Sequence, residues 1–204
     1  MTSARPRTPA RLAARLTLVV LVGVPAASRA HPLTFTETTI VLRPDGSFQT
    51  DLICDLDALA LGAPQNADDA ALVAALGALA PVELEARLDR LRQLFQRRVR
   101  VRFDGEPVPF EVSFPDQGTP AATESSIPTM LGLTARLTGI VPDGAREMEF
   151  FASRAFSDVH LTVRDETRGL TTRSVLERGA RSDPYTLAGP VEPPTALQTG
   201  RQYL

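Results

Sequence analysis

The residues best suited to chemistry in this sequence are its two histidines, His31 and His160. His160 closes the segment Asp158-Val159-His160, in which a strand would place the carboxylate and the imidazole on one face. If the chain is cut before His31, the new terminus offers a free amine beside an imidazole. An amine, two imidazoles and a carboxylate suit copper(II). His31, Asp158 and His160 are therefore candidate metal ligands.

This ligand set resembles the copper site of the CopC-type periplasmic proteins, in which an N-terminal histidine pairs with a D-x-H segment on a small sandwich. The resemblance implies that His31, Asp158 and His160 bind copper. The alternative is that one histidine begins a strand, the other lies on the polar side of a strand, and no metal binds. Apart from such a metal, copper or nickel, the sequence predicts no cofactor.

Residues 1–30 have the layout of an export signal. Four arginines precede an apolar run at residues 16–24, and Ser28-Arg29-Ala30 places small residues where a signal peptidase reads them. The run is shorter than the roughly 20 apolar residues that span a membrane, although an uncleaved anchor is the alternative. We therefore predict cleavage between Ala30 and His31 and a periplasmic or secreted product.

Charge limits the classes of partner. Five of the 22 arginines lie in the leader, which has no carboxylate, so the remainder carries 17 arginines against 24 acidic residues, a formal charge of −7. An acidic exported domain is a poor candidate for binding nucleic acid. The sequence also lacks lysine, which excludes lysine-based catalysis.

No complete catalytic motif occurs, and we predict that the protein is not an enzyme. The sequence has no Gly-rich phosphate loop, no H-E-x-x-H and no G-x-S-x-G. Two carboxylate pairs, Asp55 with Asp57 and Asp68 with Asp69, are attributed to solvated faces and helix starts. The only cysteine, Cys54, is predicted to be a buried apolar thiol, with metal ligation or an intermolecular bridge as alternatives.

The periodicity predicts a mainly β domain over residues 31–189. Residues 33–42 and 47–57 read as strands around a turn and form a β-hairpin. Two helices are predicted next, at about residues 67–97. The first is rich in alanine and leucine, and the second has leucines at helical spacing.

Strand signals resume after the helices. A second hairpin is predicted over residues 99–103 and 108–114, and further strands at 129–141, 147–156, 159–164 and 171–176. Short strands with turn signals at these intervals predict an immunoglobulin-like β-sandwich of about seven to eight strands with a two-helix insertion. Residues 190–204 read as a proline-rich linker and tail.

Several short motifs follow one another in an order found in a known family. They are A-H-P at residues 30–32, D-L-D-A-L at 55–59, V-R-F-D-G-E-P-V at 101–108, V-L-E-R-G-A-R-S-D-P-Y-T-L at 175–187 and T-G-R-Q-Y-L at 199–204. With the leader and the proline linker, they resemble the exported N-terminal domain of HupE/UreJ-type (hydrogenase/urease accessory) membrane proteins. In that family a similar Tyr-Leu tail leads into a membrane module that opens with H-I-x-x-G-x-D-H, and transport of nickel or other metals is proposed for it.

The resemblance implies a non-enzymatic periplasmic accessory or interaction domain whose partner is a membrane module or membrane protein. The transport histidines of the family would follow Leu204, so none of them maps onto this sequence. We expect either a truncated or split product that is membrane-tethered in a longer form, or a free-standing secreted relative. The alternative function is that of a periplasmic copper-binding protein using the N-terminal histidine site. The sequence predicts no oligomeric state.

Overall fold

The computed structural model describes residues 35–64, 66–117 and 128–187. Over these ranges the protein is mainly β, as the sequence predicts, with ten strands and three helices. In chain order the elements are β1 (Phe35–Leu42), β2 (Ser47–Ile53), α1 (Leu56–Leu61), α2 (Asp69–Gly77), α3 (Pro81–Arg98), β3 (Val99–Phe103), β4 (Glu106–Pro107), β5 (Glu111–Ser113), β6 (Thr134–Ile140), β7 (Glu147–Ala152), β8 (Asp158–Asp165), β9 (Leu170–Leu176) and β10 (Tyr185–Thr186). The predicted leader, His31 and the predicted linker and tail lie outside the described residues.

The strands form two sheets. The larger sheet has six strands in the order β5-β6-β2-β1-β8-β9, and the smaller sheet has four in the order β10-β7-β3-β4. Paired strands run antiparallel, except β1 and β8, which run parallel. The parallel pair sets the start of the first described strand beside the start of β8. This register positions the candidate metal site.

Alternation of side chains explains why the two sheets stack. In β2 and β3 every second residue is buried, so each strand presents one apolar face. The Phe48 ring of β2 lies 5.7 Å from the Phe103 ring of β3, measured between centroids, and joins the larger sheet to the smaller one. Buried side chains of both sheets belong to a single cluster. Since apolar burial contributes about 25 cal/mol per Å², this shared core holds the sheets together as a sandwich.

Helix α3 packs on the sandwich through the leucine stripe that the sequence predicts. Leu88, Leu91 and Phe95 are buried along one side of the helix. The Phe95 ring lies 5.5 Å from that of Phe156, in the segment that leads into β8. The helix therefore packs against the same end of the sandwich at which β8 begins.

The second strand ends earlier than predicted, because a third helix, α1, follows it. The prediction of a strand over residues 47–57 is wrong beyond Ile53, and the described residues contain three helices where two are predicted. The Asp55 carboxylate accepts a hydrogen bond from the Ala58 amide at 2.8 Å, which caps the helix, and Gly62 ends it with a φ of 67°. An N-cap satisfies an amide that has no partner inside the helix, and this local gain replaces strand pairing.

The second predicted hairpin is also wrong over much of its length. Only the two residues of β4 pair with β3, whereas β5 pairs with β6 of the larger sheet. Pro109 lies between β4 and β5 and has no amide hydrogen to continue the ladder. The chain crosses from the smaller sheet to the larger one around this proline.

Candidate metal site and free sheet edge

Asp158 and His160 lie at the start of β8 on the face of the larger sheet that points away from the core. Both are exposed, whereas Val159 and Leu161, which alternate with them, are buried. Their side chains therefore project from one face, two residues apart, as the D-x-H spacing predicts. The fold brings these two candidate ligands together.

The start of β1 lies directly beside them. In the parallel ladder Phe35 is the partner of Asp158, and Glu37 is the partner of His160. The imidazole of His160 stacks on the Phe35 ring, with centroids 4.2 Å apart and planes 5° from parallel. The stack restricts the orientation of the imidazole while the residue stays exposed.

The Asp158 carboxylate is only partly engaged. Its Oδ1 accepts a hydrogen bond from the backbone amide of Arg178, at 2.9 Å, just after β9. The other oxygen accepts no hydrogen bond from a residue in the described ranges, so it could coordinate a metal without breaking this contact. The hydrogen bond from the Arg178 amide would also help to orient the carboxylate as a ligand.

The third candidate ligand, His31, lies outside the described residues, so the predicted three-ligand site stays a prediction. Phe35 follows His31 by four positions, and an extended chain of that length spans at most about 14 Å. Within the described part of the chain, no group of three or more His, Cys, Asp or Glu residues could hold a metal ion. Asp158 and His160 therefore depend on His31 to complete a site of this kind.

A small cavity lies behind the same end of the sheet. It has a volume of about 80 Å³, and its lining includes Phe35, Cys54, Asp55 and Ser157. Burial raises the pKa of the Cys54 thiol, which keeps it protonated and weakly nucleophilic. Burial also raises the pKa of Asp55, although the hydrogen bond from the Ala58 amide opposes the shift. The predicted burial of Cys54 is confirmed, since only 6% of the residue is exposed.

The carboxylate pairs divide between two roles. Asp55 caps α1 and Asp68 caps α2, as the helix-start interpretation predicts. Asp57 is different, because it is buried and accepts hydrogen bonds from the amides of Met130 and Leu131 at 2.8 and 2.9 Å. The sequence assigns Asp57 to a solvated face or a helix start and does not predict this role. The buried carboxylate connects α1 to the loop before β6.

A second feature, which sequence reasoning missed, is the free edge of β9. This strand pairs with β8 along all seven of its residues, and no described strand pairs with its other side. The sequence predicts a strand at residues 171–176, but its place at the end of a sheet depends on contacts far away in the chain. The local sequence pattern contains no signal that identifies β9 as an edge strand.

Side chains on the two faces of β9 differ. Thr172 and Ser174 are the ladder partners of buried Val163 and Leu161, so they point to the inner side. There a cleft of about 470 Å³ opens between β9 and β10. Arg173 is on the outer side of β9, where Arg164 of β8 is its diagonal neighbour. Both arginine side chains are exposed, and neither forms an ion pair with a described carboxylate.

Comparison with family models and with curated proteins adds no relative. No protein-family model matches the sequence, and no curated protein is significantly similar to it. None of the helices in the described ranges has the length and apolar character needed to cross a membrane. The likeness to HupE/UreJ-type ectodomains and the likeness to the copper site both stay predictions from sequence motifs.

Proposed function

We propose that this protein is a non-enzymatic exported accessory or interaction domain, similar to the ectodomain of a HupE/UreJ-type metal-handling membrane protein. The observation that carries the proposal is the free seven-residue edge of β9. An unpaired strand exposes a row of amide and carbonyl groups, and such an edge is a ready template for a strand of another protein.

The partner in this proposal is a membrane module or a membrane protein on the exported side. Export follows from the leader motif, and the partner class follows from the order of motifs that ends in T-G-R-Q-Y-L. Backbone pairing suits this task, because a sheet edge can hold a partner without a catalytic or cofactor site in the domain itself.

Deletion and complementation in the native host test the proposal. Removing the gene should lower the amount of nickel, or of another transported metal, that cells accumulate, and the exported wild-type protein should restore it. The control is the same protein without residues 1–30, which should stay inside the cell and restore nothing. Unchanged accumulation of every metal measured would contradict the accessory role.

A second candidate function is supported by the parallel register of β1 and β8. The chain enters β1 at Phe35, opposite Asp158, and Phe35 stacks on His160. A chain that begins at His31 would thus enter the fold next to the other two candidate ligands. Such a terminus would supply an amine, a second imidazole and a site for copper(II).

Copper(II) titration tests this second function. Mature protein with an authentic His31 terminus should bind one copper(II) ion, followed by calorimetry and by electron paramagnetic resonance. Acetylation of the His31 amine removes that nitrogen as a ligand, and His160→Gln removes one imidazole; each should weaken binding at least about tenfold. Equal binding by all three proteins, or none by the first, would exclude the proposed ligand set.

A further inference from the structure

We propose that the free edge of β9 binds an extended partner segment in which acidic and apolar side chains alternate. This inference rests on the proposed function as an interaction domain, and it adds the chemistry of the segment that is bound. Three properties of the edge carry it: its unpaired backbone, the charge on its outer face and the cleft on its inner face.

The backbone sets the conformation of the partner. β9 runs from Leu170 to Leu176 and uses one side of its main chain for β8. The alternate amides and carbonyls point to the open side, and an extended chain can pair with them in the same spacing. β9 has seven residues, slightly more than the commonest strand length of about five to six, so the edge offers a full-length strand for pairing.

The outer face selects negative charge. Arg173 of β9 pairs with Thr162, and Arg164 of β8 pairs with Thr171, so the two guanidinium groups are diagonal neighbours beside the edge. Both side chains are exposed, and neither forms an ion pair with a carboxylate of the described chain. A partner carboxylate on this face would be attracted to both of them, in a molecule whose mature part is otherwise acidic.

The inner face offers buried apolar side chains to a partner, and charged residues of the segment between β9 and β10 also line the cleft. The cleft between β9 and β10 has a volume of about 470 Å³, and buried Met148, Leu161 and Val163 are part of its lining. Thr172 and Ser174 stand on its β9 side and are exposed. A strand added beside β9 would direct every second side chain toward this side of the sheet, where apolar groups would be removed from water.

A second copy of the chain fits the edge poorly. Arg173 is the central residue of β9, so full antiparallel pairing of two β9 strands would place the two Arg173 side chains directly opposite each other. Like charges in that position destabilise a strand pair. The charge on the edge therefore favours an acidic segment of a different protein.

Peptide binding to the purified mature protein tests the proposal. The probe is a capped nine-residue peptide of alternating valine and glutamate, titrated by calorimetry; the controls replace each glutamate with lysine or the central valine with proline. We expect binding of the acidic peptide and at least about tenfold weaker binding of both controls, since one loses charge complementarity and the other loses ladder hydrogen bonds.

Charge reversal at the edge gives the decisive comparison. The double variant Arg164→Glu/Arg173→Glu should reverse the preference and bind the lysine peptide better than the glutamate peptide. Arg90→Glu, at an exposed arginine of α3 that forms no ion pair with a described carboxylate, should bind like the wild type. Hydrogen exchange should slow on binding at the β9 amides that point to the open side.

Three outcomes would overturn the inference. They are binding that ignores the charge of the peptide, protection in the free protein of the β9 amides that point to the open side, and self-association that Arg173→Glu strengthens or abolishes. Loss of metal accumulation on gene deletion, together with failure of the peptide, would leave the accessory function standing and reject only this edge chemistry.

Discussion

The imidazole of His160 lies parallel to the ring of Phe35, with centroids 4.2 Å apart. The contact joins the first described strand to the strand that carries Asp158, and it lies beside the point at which residues before Phe35 enter the fold. One aromatic pair therefore links the order of the strands to the geometry of the candidate metal site.

The stack predicts a spectroscopic signature. Protons of His160 should be shifted upfield in the nuclear magnetic resonance spectrum by the ring current of Phe35. Phe35→Leu should remove the shift and lower the free energy of unfolding by about 1 kcal/mol, because an aromatic pair contributes about 0.5–1.5 kcal/mol beyond its buried area. Phe35→Tyr keeps the ring and should preserve the shift. Identical His160 shifts in the leucine variant would show that the rings do not stack in solution.

Asp57 should be among the most sensitive polar positions in the protein. Its carboxylate accepts the Met130 and Leu131 amides in a buried setting. Asp57→Ala leaves both amides without an acceptor and should lower the free energy of unfolding by about 2–4 kcal/mol, measured by urea denaturation. Asp57→Asn retains one acceptor oxygen and should fall between the alanine variant and the wild type. The control is Asp143→Ala at an exposed turn, and an equal loss in both alanine variants would contradict this role.

Two buried hydroxyl groups should be replaceable with a gain in stability. Thr38 and Thr50 have Oγ1 atoms that are buried and have no hydrogen-bond partner among the described residues. Valine has nearly the same shape and no polar atom, so Thr38→Val and Thr50→Val should each raise the free energy of unfolding by about 1 kcal/mol. Thr162→Val, on the outer face of β8, should change it little. Destabilisation by either core variant would show that its hydroxyl has a polar partner in solution.

Asp55 should make stability depend on pH. Burial raises its pKa in the folded state above the ordinary 3.8, so between 3.8 and the raised value the folded state binds more protons than the unfolded state. This contribution to stability is fully present at lower pH and is lost as the pH rises through the folded pKa. Asp55→Asn keeps the helix cap and cannot ionise, so it should remove this decline. Denaturation midpoints measured from about pH 3.5 to about pH 7 test the slope, and equal slopes for both proteins would contradict it.

Features that depend on neighbouring residues could be predicted from the sequence. The alternation of β8 placed Asp158 and His160 on one exposed face, and leucine spacing placed Leu88 and Leu91 on the buried side of α3. The burial of Cys54 followed from the same period of two. Each of these patterns repeats within a few residues, so local periodicity is sufficient to detect it.

Features that depend on distant contacts could not be predicted. Asp57 looks like an ordinary residue in the first turn of a helix, because the amides it binds are 73 and 74 positions away. β5 pairs with β6 although β3 is nearer in sequence, and β9 ends a sheet because of the strand order as a whole. The parallel register that sets Phe35 beside Asp158 is of the same kind, since it joins strands from opposite ends of the domain.

Site-specific photo-crosslinking in the native host tests the central claim, which is that the protein is exported and binds a membrane partner at β9. A photoreactive phenylalanine analogue replaces Thr172, which is exposed at the cleft, and the matched control replaces Glu106, which is exposed on β4 of the other sheet. We predict a crosslink from position 172 to an extended segment of a membrane protein and none from position 106. Crosslinks from position 172 that stay within the chain, or that match those from position 106, would contradict the account.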